Sequence, residues 1–317
     1  MIAVHLENGR IEARRAREPR RPRGFAKIRL RLGGICNTDL ELLRGYYEFR
    51  GTPGHEFVGE VVEADNRGLI GKRVTGEINL ACGRCEWCGR GLGRHCPNRT
   101  VLGIVKHPGA FRELLTLPES NLHVLADSLP DEHAVFTEPV AAACEILEQA
   151  RIPRGGEVAV LGDGKLGLLI GQVLAAHGVR VIQFGKHREK LRIAEKAGIA
   201  AKLVRKRMPA AAYDWVVDAT GSPEGLRLAV AMARPRGTVI MKSTVHGTVA
   251  VDTAPVIVNE ITLVGSRCGR FGPALRLLRK GKVQVAEMIS GEFRLADAAR
   301  AFERAAAPGV LKVLLRP

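Results

Sequence analysis

The sequence predicts an α/β protein with a β-rich first part and a second part built as a doubly wound parallel sheet. Residues 1–138 are rich in glycine, proline and short alternating stretches such as 26–32 and 60–63, a pattern typical of a half-buried, barrel-like β domain. An apolar helical stretch, 139–150, begins with proline and marks the junction. From residue 157 onward, strand-like runs alternate with helical runs, which indicates a parallel sheet covered by helices.

The elements after the junction follow one another in a regular order. The predicted strands are 158–161, 180–184, 215–219, 238–241, 261–264 and 310–315, and the predicted helices are 166–177, 188–197, 223–233, 273–280 and 296–306. We expect one domain over residues 1–138, a second over 139–271 and a C-terminal segment over 272–317.

Bulk properties indicate a globular protein. The chain has 317 residues, of which 46% are hydrophobic, and no apolar run reaches the length of about 18 residues that a membrane span needs. The N-terminus carries no signal-peptide pattern, so we expect a cytoplasmic location and no membrane partner. The net charge of +16 is spread along the chain, with local runs only at 14–23 and 202–207. A solvated basic surface, rather than specific nucleic-acid binding, is the expectation.

Four cysteines lie close together in the pattern C-x2-C-x2-C-x7-C: Cys82, Cys85, Cys88 and Cys96. Four thiolates can fill the tetrahedral shell of one zinc ion and leave no open position, which predicts a structural zinc lobe over residues 82–96. The alternatives are four unrelated buried thiols and a zinc knuckle for nucleic acid. Trp87 is the one aromatic residue near the cluster, which weakens the knuckle.

A glycine-rich turn follows the first strand of the second part and opens a helix. This context makes a G-x-G-x-x-G motif credible as a dinucleotide site, because the glycines let the backbone approach a pyrophosphate at the helix N-terminus. The predicted cofactor-binding residues of this turn are Gly162, Gly164, Lys165, Leu166 and Gly167.

The end of the next strand predicts which dinucleotide is used. NAD-binding folds carry an acid there for the ribose 2′-hydroxyl, whereas this chain has Gly185, Lys186, His187 and Arg188. Basic side chains suit a 2′-phosphate, so the sequence predicts NADP, with NAD as the second candidate. A basic solvated helix start is the alternative. Replacing Gly185 by Asp is expected to reverse the preference.

Three motifs in this order resemble the zinc-dependent medium-chain dehydrogenase/reductase family, which includes alcohol, polyol and sugar dehydrogenases. The motifs are residues 34–39 with 54–56, the four-cysteine lobe, and the glycine-rich turn. The resemblance implies a GroES-like β-barrel catalytic domain, a Rossmann domain, and a C-terminal segment that returns to the catalytic domain. It also implies a homodimer or homotetramer, supported by the apolar strand 261–264.

The resemblance also implies a catalytic zinc site. Cys36 and His55 match two ligands, and either Glu56 or Glu138 is the third ligand or the acid that holds the zinc water. Thr38 matches the hydroxyl that relays the substrate proton.

Three more positions take roles from the same resemblance. Glu41 stands where many relatives carry a histidine that passes the proton on, with a surface glutamate as the alternative. Thr220 and Lys312 match cofactor-binding positions.

The implied function is hydride transfer between NADP(H) and an alcohol, polyol or sugar or the corresponding carbonyl, with one catalytic and one structural zinc. One alternative is a zinc-independent quinone or enone reductase of the same fold. The other is a nucleic-acid-binding zinc protein that is not an enzyme. The Cys36 and His55 pair and the four-cysteine lobe disfavour the reductase, since such enzymes lack both.

Overall fold

The computed structural model describes residues 1–244 and 248–317 and divides the chain into two compact units. Unit 1 consists of residues 1–138 and 289–317, and unit 2 consists of residues 139–288. No helix in the described ranges has the length and apolarity required to cross a membrane. The first division lies at the junction expected from the sequence, whereas the second lies after residue 288 rather than after 271.

Short strands dominate the first 138 residues. The elements in chain order are β1 (Ile2–Glu7), β2 (Arg10–Arg15), β3 (Phe25–Gly34), α1 (Asn37–Leu43), β4 (Glu56–Glu63), β5 (Arg73–Gly76), β6 (Asn79–Leu80), α2 (Glu86–Gly89), β7 (Thr100–Leu102), β8 (Lys106–His107), β9 (Leu114–Pro118), β10 (Leu122–Val124) and α3 (Asp131–Ala134).

Strands and helices alternate in the remainder of the chain. The elements are α4 (Thr137–Gln149), β11 (Glu157–Leu161), α5 (Lys165–Ala176), β12 (Arg180–Gly185), α6 (Arg188–Lys196), β13 (Ala200–Leu203), β14 (Tyr213–Asp218), α7 (Pro223–Met232), β15 (Ala233–Met241), α8 (Ala254–Val258), β16 (Thr262–Gly265), α9 (Phe271–Arg279), β17 (Ile289–Arg294), α10 (Ala298–Ala306) and β18 (Lys312–Arg316).

Unit 1 is built on a seven-stranded, mainly antiparallel sheet. Its order is β10-β5-β4-β3-β18-β17, and β9 also pairs with β3. The alternation predicted for β3 is present, since Ala26, Ile28, Leu30 and Leu32 are buried and the basic residues between them face outward. β18 pairs antiparallel with β3, and this pairing ties the end of the chain to the first domain.

Unit 2 contains the predicted parallel sheet, in the order β13-β12-β11-β14-β15-β16. The chain leaves β11 toward β12 on one side and reaches β14 on the other, so the strand order reverses beside β11. Ligands of such sheets bind at the carboxyl ends of the strands at this switch point. The glycine-rich turn follows β11 directly, so the fold places it there.

Helix α9 explains why the second division lies later than expected. Phe271, Ala274 and Leu278 bury one face of this helix, and the backbone N–H of Gln284 donates to Oε1 of Gln172 at 2.7 Å. Residues 272–288 therefore complete the core of unit 2. Of the expected C-terminal segment 272–317, only residues 289–317 belong to unit 1.

Candidate metal centres and nucleotide site

The four cysteines predicted for a structural zinc form one cluster around α2. The Sγ atom of Cys85 lies 3.5 Å from that of Cys88 and 3.6 Å from that of Cys96, and the Sγ atoms of Cys82 and Cys88 are 4.0 Å apart. A tetrahedron with Zn–S bonds of about 2.3 Å has sulfur–sulfur edges of about 3.8 Å. The spacing of the thiols therefore fits one zinc ion with four protein ligands.

Close packing shifts the pKa values of two of these thiols in opposite directions. The backbone N–H of Arg84 and the neighbouring thiols lower the pKa of Cys82 to about 6. The backbone N–H of Cys88 also lowers the pKa of Cys85. Desolvation and the other thiols outweigh this effect and raise the pKa of Cys85 to about 11. A zinc ion bound by the four side chains would stabilise their thiolate forms.

The second cluster lies where β3 ends and β4 begins. Cys36 precedes α1, His55 precedes β4 and Glu56 is the first residue of β4. One ligand atom from each of the three residues lies within 4.8 Å of the other two. His55 is 3% exposed and Glu56 is 1% exposed, so both polar side chains are buried.

Asp39 holds the two ligand-bearing segments together. Its carboxylate accepts hydrogen bonds from the backbone N–H of Cys36 at 2.8 Å and of Gly54 at 3.1 Å. Burial opposes the charged form of His55, but the charges of Asp39 and Cys36 outweigh burial and hold its pKa well above the usual value. Nδ1 of His55 lies 3.4 Å from Oδ1 of Asp39 without a hydrogen bond.

Glu56 forms a buried ion pair with Lys312, the first residue of β18. Nζ of Lys312 donates to Oε2 of Glu56, and the ammonium lies 5.2 Å from the ring centroid of Phe136. Oε1 of Glu56 is buried with no hydrogen-bond partner in the described residues. Lys312 is 1% exposed, so the cofactor contact expected for it would require this ion pair to open.

One unpaired buried atom indicates that the cluster fits a metal. Oε1 of Glu56 is buried with no hydrogen-bond partner in the described chain, and burying such a group without a partner is unfavourable. Nδ1 of His55 faces the carboxylate of Asp39 instead, at 3.4 Å. A thiolate, an imidazole and a carboxylate are the donors that zinc accepts, and three protein ligands leave one position open. The residues present therefore fit a catalytic zinc ion.

The other predicted catalytic residues lie on α1 and in the first turn of α4. Oγ1 of Thr38 lies 3.8 Å from Sγ of Cys36. The carboxylate of Glu41 accepts from Nη1 of Arg44 at 2.6 Å, so it faces the partly exposed side of α1. Glu138 lies in the first turn of α4 and is 9% exposed, outside the group that Cys36, His55 and Glu56 form among the described residues.

The glycine-rich turn has the close contacts that a dinucleotide loop requires. Gly162 has a φ of +117°, and a Cβ atom there would lie 2.4 Å from the carbonyl oxygen of Ala219. A Cβ atom on Gly167 would lie 2.2 Å from the carbonyl oxygen of Gly162. The turn is thus packed against the end of β14, where the side chain of Thr220 donates to Oδ1 of Asp218 at 2.8 Å. Gly164 precedes α5, which begins with Lys165 and Leu166.

The residues that follow β12 in the sequence include no acid at its end, but the structure brings an acidic side chain there from another strand end. Asp163, the second residue of the glycine-rich turn, places its carboxylate there and accepts from the backbone N–H groups of Lys186 and His187, both at 2.6 Å. A Cβ atom on Gly185 would lie 2.5 Å from Cβ of Asp163. Replacing Gly185 by Asp would therefore produce a clash before it could change cofactor preference. Chain order conceals this contact, because the two residues follow different strands.

A second basic segment lies beside the one predicted at the end of β12. Gly185 is paired with Leu203 in the register of β12 and β13, and the backbone N–H of Val204 donates to the carbonyl oxygen of Gly185 at 2.8 Å. The run 202–207, interpreted from the sequence as solvated surface, thus continues from the neighbouring strand end. The exposed basic residues that follow these two strands are Lys186, His187, Arg188, Arg205, Lys206 and Arg207.

Comparison with known proteins identifies the family of both units. Residues 22–127 match the model of the alcohol dehydrogenase GroES-like domain, and residues 166–280 match that of the zinc-binding dehydrogenases. A sorbitol dehydrogenase from Halalkalibacterium halodurans is 28% identical, with 100% of this chain and 98% of the relative covered. An erythritol/L-threitol dehydrogenase from Mycolicibacterium smegmatis is also 28% identical, with 88% and 86% covered.

A solved structure has the same fold over the whole chain. It is described as a zinc-binding dehydrogenase from Sinorhizobium meliloti bound to NADP, with a TM-score of 0.90, 30% identity, and coverage of 100% of this chain and 99% of that one. The predicted combination of a GroES-like domain with a Rossmann domain is confirmed. The chain belongs to the zinc-dependent medium-chain dehydrogenase/reductase family.

Proposed function

We propose that this protein is a zinc-dependent dehydrogenase that transfers a hydride between an alcohol, polyol or sugar and NADP. One observation carries the proposal: Cys36, His55 and Glu56 converge, and Oε1 of Glu56 is buried with no hydrogen-bond partner in the described residues. The sorbitol and erythritol/L-threitol dehydrogenases among the relatives support a polyol or another secondary alcohol as substrate.

Cys36, His55 and Glu56 would hold the catalytic zinc, and Cys82, Cys85, Cys88 and Cys96 the structural zinc. Glu56 is the better third ligand than Glu138, because its free Oε1 belongs to the cluster. A zinc ion there supplies Lewis-acid polarisation of the substrate oxygen, and a nicotinamide dinucleotide supplies the hydride acceptor.

Metal analysis separates the two proposed sites. The purified protein should contain two zinc ions per chain. Cys36→Ser should retain only the structural ion and lose activity, whereas Cys88→Ser should lose the structural ion and lower the thermal stability. A wild-type protein that contains a single zinc, and keeps it in Cys36→Ser, would contradict the proposed catalytic site.

The first turns of α1 provide a path for the substrate proton. Thr38 and Glu41 are three residues apart on this helix and therefore lie on one face. The hydroxyl of Thr38 would accept the proton of the substrate hydroxyl as it gives its own proton to the carboxylate of Glu41, which then releases it to solvent. Glu138, buried near the start of α4, is a further candidate for orienting the substrate.

Two variants of Thr38 test this path. Thr38→Val should lower kcat strongly and leave the Kd of the dinucleotide unchanged, because it removes a proton acceptor and keeps the shape of the side chain. Thr38→Ser retains a hydroxyl and serves as the matched control, with most of the activity preserved. Equal kcat values for the valine variant and the wild type at every pH would refute the relay.

The basic residues at the ends of β12 and β13 support a preference for NADP. Within residues 1–244 and 248–317, the side chains of Lys186, Arg205, Lys206 and Arg207 have no ion-pair partner, so their charges are available to a 2′-phosphate. The relative bound to NADP is consistent with this preference. Titration calorimetry should give a lower Kd for NADP than for NAD, and the reverse order would contradict it.

The edge of the parallel sheet supports a homodimer or homotetramer. In the described residues β16 pairs with β15 alone, and Ile257 and Val258 of α8 are 71% and 78% exposed. An open strand edge beside apolar side chains suits pairing with a second copy across a two-fold axis. Light scattering at micromolar concentration should give at least twice the mass of the chain. No disulfide joins any of the cysteines in the described residues, and we propose a cytoplasmic location on that basis.

A further inference from the structure

Asp163 places a buried carboxylate at the point where a dinucleotide-binding fold recognises the adenosine ribose. The residue is 8% exposed and belongs to the glycine-rich turn after β11. Its Oδ2 atom accepts from the backbone N–H groups of Lys186 and His187 at 2.6 Å each, and lies 3.0 Å from Nδ1 of His187. The carboxylate is therefore fixed at the carboxyl end of β12.

This carboxylate occupies the volume that a side chain at position 185 would need. A Cβ atom on Gly185 would lie 2.5 Å, 2.6 Å and 2.8 Å from Cβ, Oδ2 and Cγ of Asp163. Dinucleotide-binding folds usually carry their ribose-binding acid at the end of the second strand. Here the acid reaches the same end from the first turn, and glycine at 185 makes room for it.

One oxygen of the carboxylate remains available to a ligand. All three contacts of Asp163 go to Oδ2, and in the described part of the chain no residue donates to Oδ1. The side chain of Asp163 keeps an exposed fraction of 11%, so the carboxylate is not sealed from solvent. An open carboxylate oxygen can accept from a ribose hydroxyl, and it repels a phosphate.

We propose that Asp163 is a specificity-determining residue of the nucleotide site, where it accepts from the ribose 2′-hydroxyl of NAD and opposes the 2′-phosphate of NADP. It acts against the exposed basic residues that follow β12 and β13, which attract that phosphate. The site thus contains one recognition element for each cofactor, and NAD remains a usable second cofactor. This inference rests on the proposed use of a nicotinamide dinucleotide.

Binding measurements on the zinc-loaded full chain test the role of Asp163. Asp163→Asn keeps the size of the side chain and removes its charge. By titration calorimetry the variant should bind NAD more weakly and NADP more tightly, so that the ratio of the two Kd values shifts about tenfold or more toward NADP. The fragments 5′-AMP and 2′,5′-ADP should show the same opposite changes, because they differ in the 2′-phosphate alone.

Asp214→Asn is the matched control, since it removes one charge from the other end of the parallel sheet. Asp214 is exposed and pairs with Arg234 at 3.1 Å, and its loss should leave both Kd values unchanged. If Asp163→Asn changes both Kd values by the same factor, Asp163 only supports the loop and the inference is overturned. If the wild type binds neither dinucleotide, the proposed function fails together with the inference.

Moving the carboxylate from position 163 to position 185 provides a second test, which does not depend on Asp163→Asn. Asp163→Gly should lose NAD binding, and adding Gly185→Asp to it should restore NAD binding, because the three nearest clashing atoms are gone and an acid returns to the strand end. Failure of the double variant to bind NAD more tightly than Asp163→Gly would overturn the proposal. Melting curves of each variant would show that the comparison involves folded protein.

Discussion

Replacing Lys312 by methionine should reveal how strongly the buried ion pair supports the candidate metal site. Lys312 and Glu56 are each 1% exposed, and the ammonium is the one hydrogen-bond donor to Glu56 in the described residues. Methionine has a similar length and keeps the contact with Phe136, so the variant removes mainly the charge.

Removing one partner of a buried ion pair usually costs about 3–5 kcal/mol, because the remaining charge stays desolvated. We expect a loss of this size in the free energy of unfolding of unit 1 when zinc is removed by a chelator. The loss should be smaller in the zinc-loaded protein, since a metal bound to Glu56 would compensate its charge. Adding Glu56→Gln should recover much of the loss in the chelated protein, because no buried charge then remains.

Urea unfolding can report on unit 1 alone. The chain has two tryptophans, Trp87 in unit 1 and Trp215 in unit 2, so Trp215→Phe leaves fluorescence from Trp87 as the probe. In this background Lys312→Met should shift the transition to lower urea concentration. A shift that corresponds to less than about 1 kcal/mol in chelated protein, or no recovery with Glu56→Gln, would refute the reasoning.

Three further predictions concern the nucleotide site and the sheet edge. Gly185→Asp with Asp163 intact should lower the melting temperature in scanning calorimetry, because its Cβ atom would lie 2.5 Å from Cβ of Asp163, and an unchanged melting curve would contradict that contact. Lys206→Ala should raise the Kd of NADP and not that of NAD; parallel changes in calorimetric titrations would show that this lysine does not meet the 2′-phosphate. Ile257→Asp should reduce the mass measured by light scattering, since it places a charge in the exposed apolar patch on α8, whereas an oligomer of unchanged size would remove that patch from the interface.

Local spacing was enough to predict much of the fold and the four-cysteine cluster, whereas the candidate catalytic ligands came from the family resemblance. The four thiols lie close together in the sequence. The glycine-rich turn lies between an apolar strand and an apolar helix, and these neighbours made the motif credible. Alternating apolar residues predicted β3, and the repeating strand–helix pattern predicted the parallel sheet of unit 2. Each of these features depends on residues that are close together in the sequence, so a local sequence pattern can predict it.

Contacts between distant residues could not be predicted in this way. Lys312 and Glu56 are 256 residues apart, and only the pairing of β18 with β3 brings them together. Asp163 contacts Gly185 because β11 and β12 are neighbours in the sheet. The acid that follows β11 therefore lies at the end of β12. The motif itself contains an acid at its second position, and that was the one signal in the sequence that pointed to this contact.

Transfer of isotope from substrate to cofactor tests the central claim most directly. The zinc-loaded protein would be incubated with NADP and polyols that carry deuterium on the carbinol carbon, and the reduced cofactor would be analysed by mass spectrometry. The proposed function predicts that deuterium appears in NADPH, that chelation abolishes the transfer, and that zinc restores it. Failure of the zinc-replete protein to transfer deuterium from any secondary alcohol or polyol, or transfer that continues unchanged after Cys36→Ser, would contradict a zinc-dependent dehydrogenase.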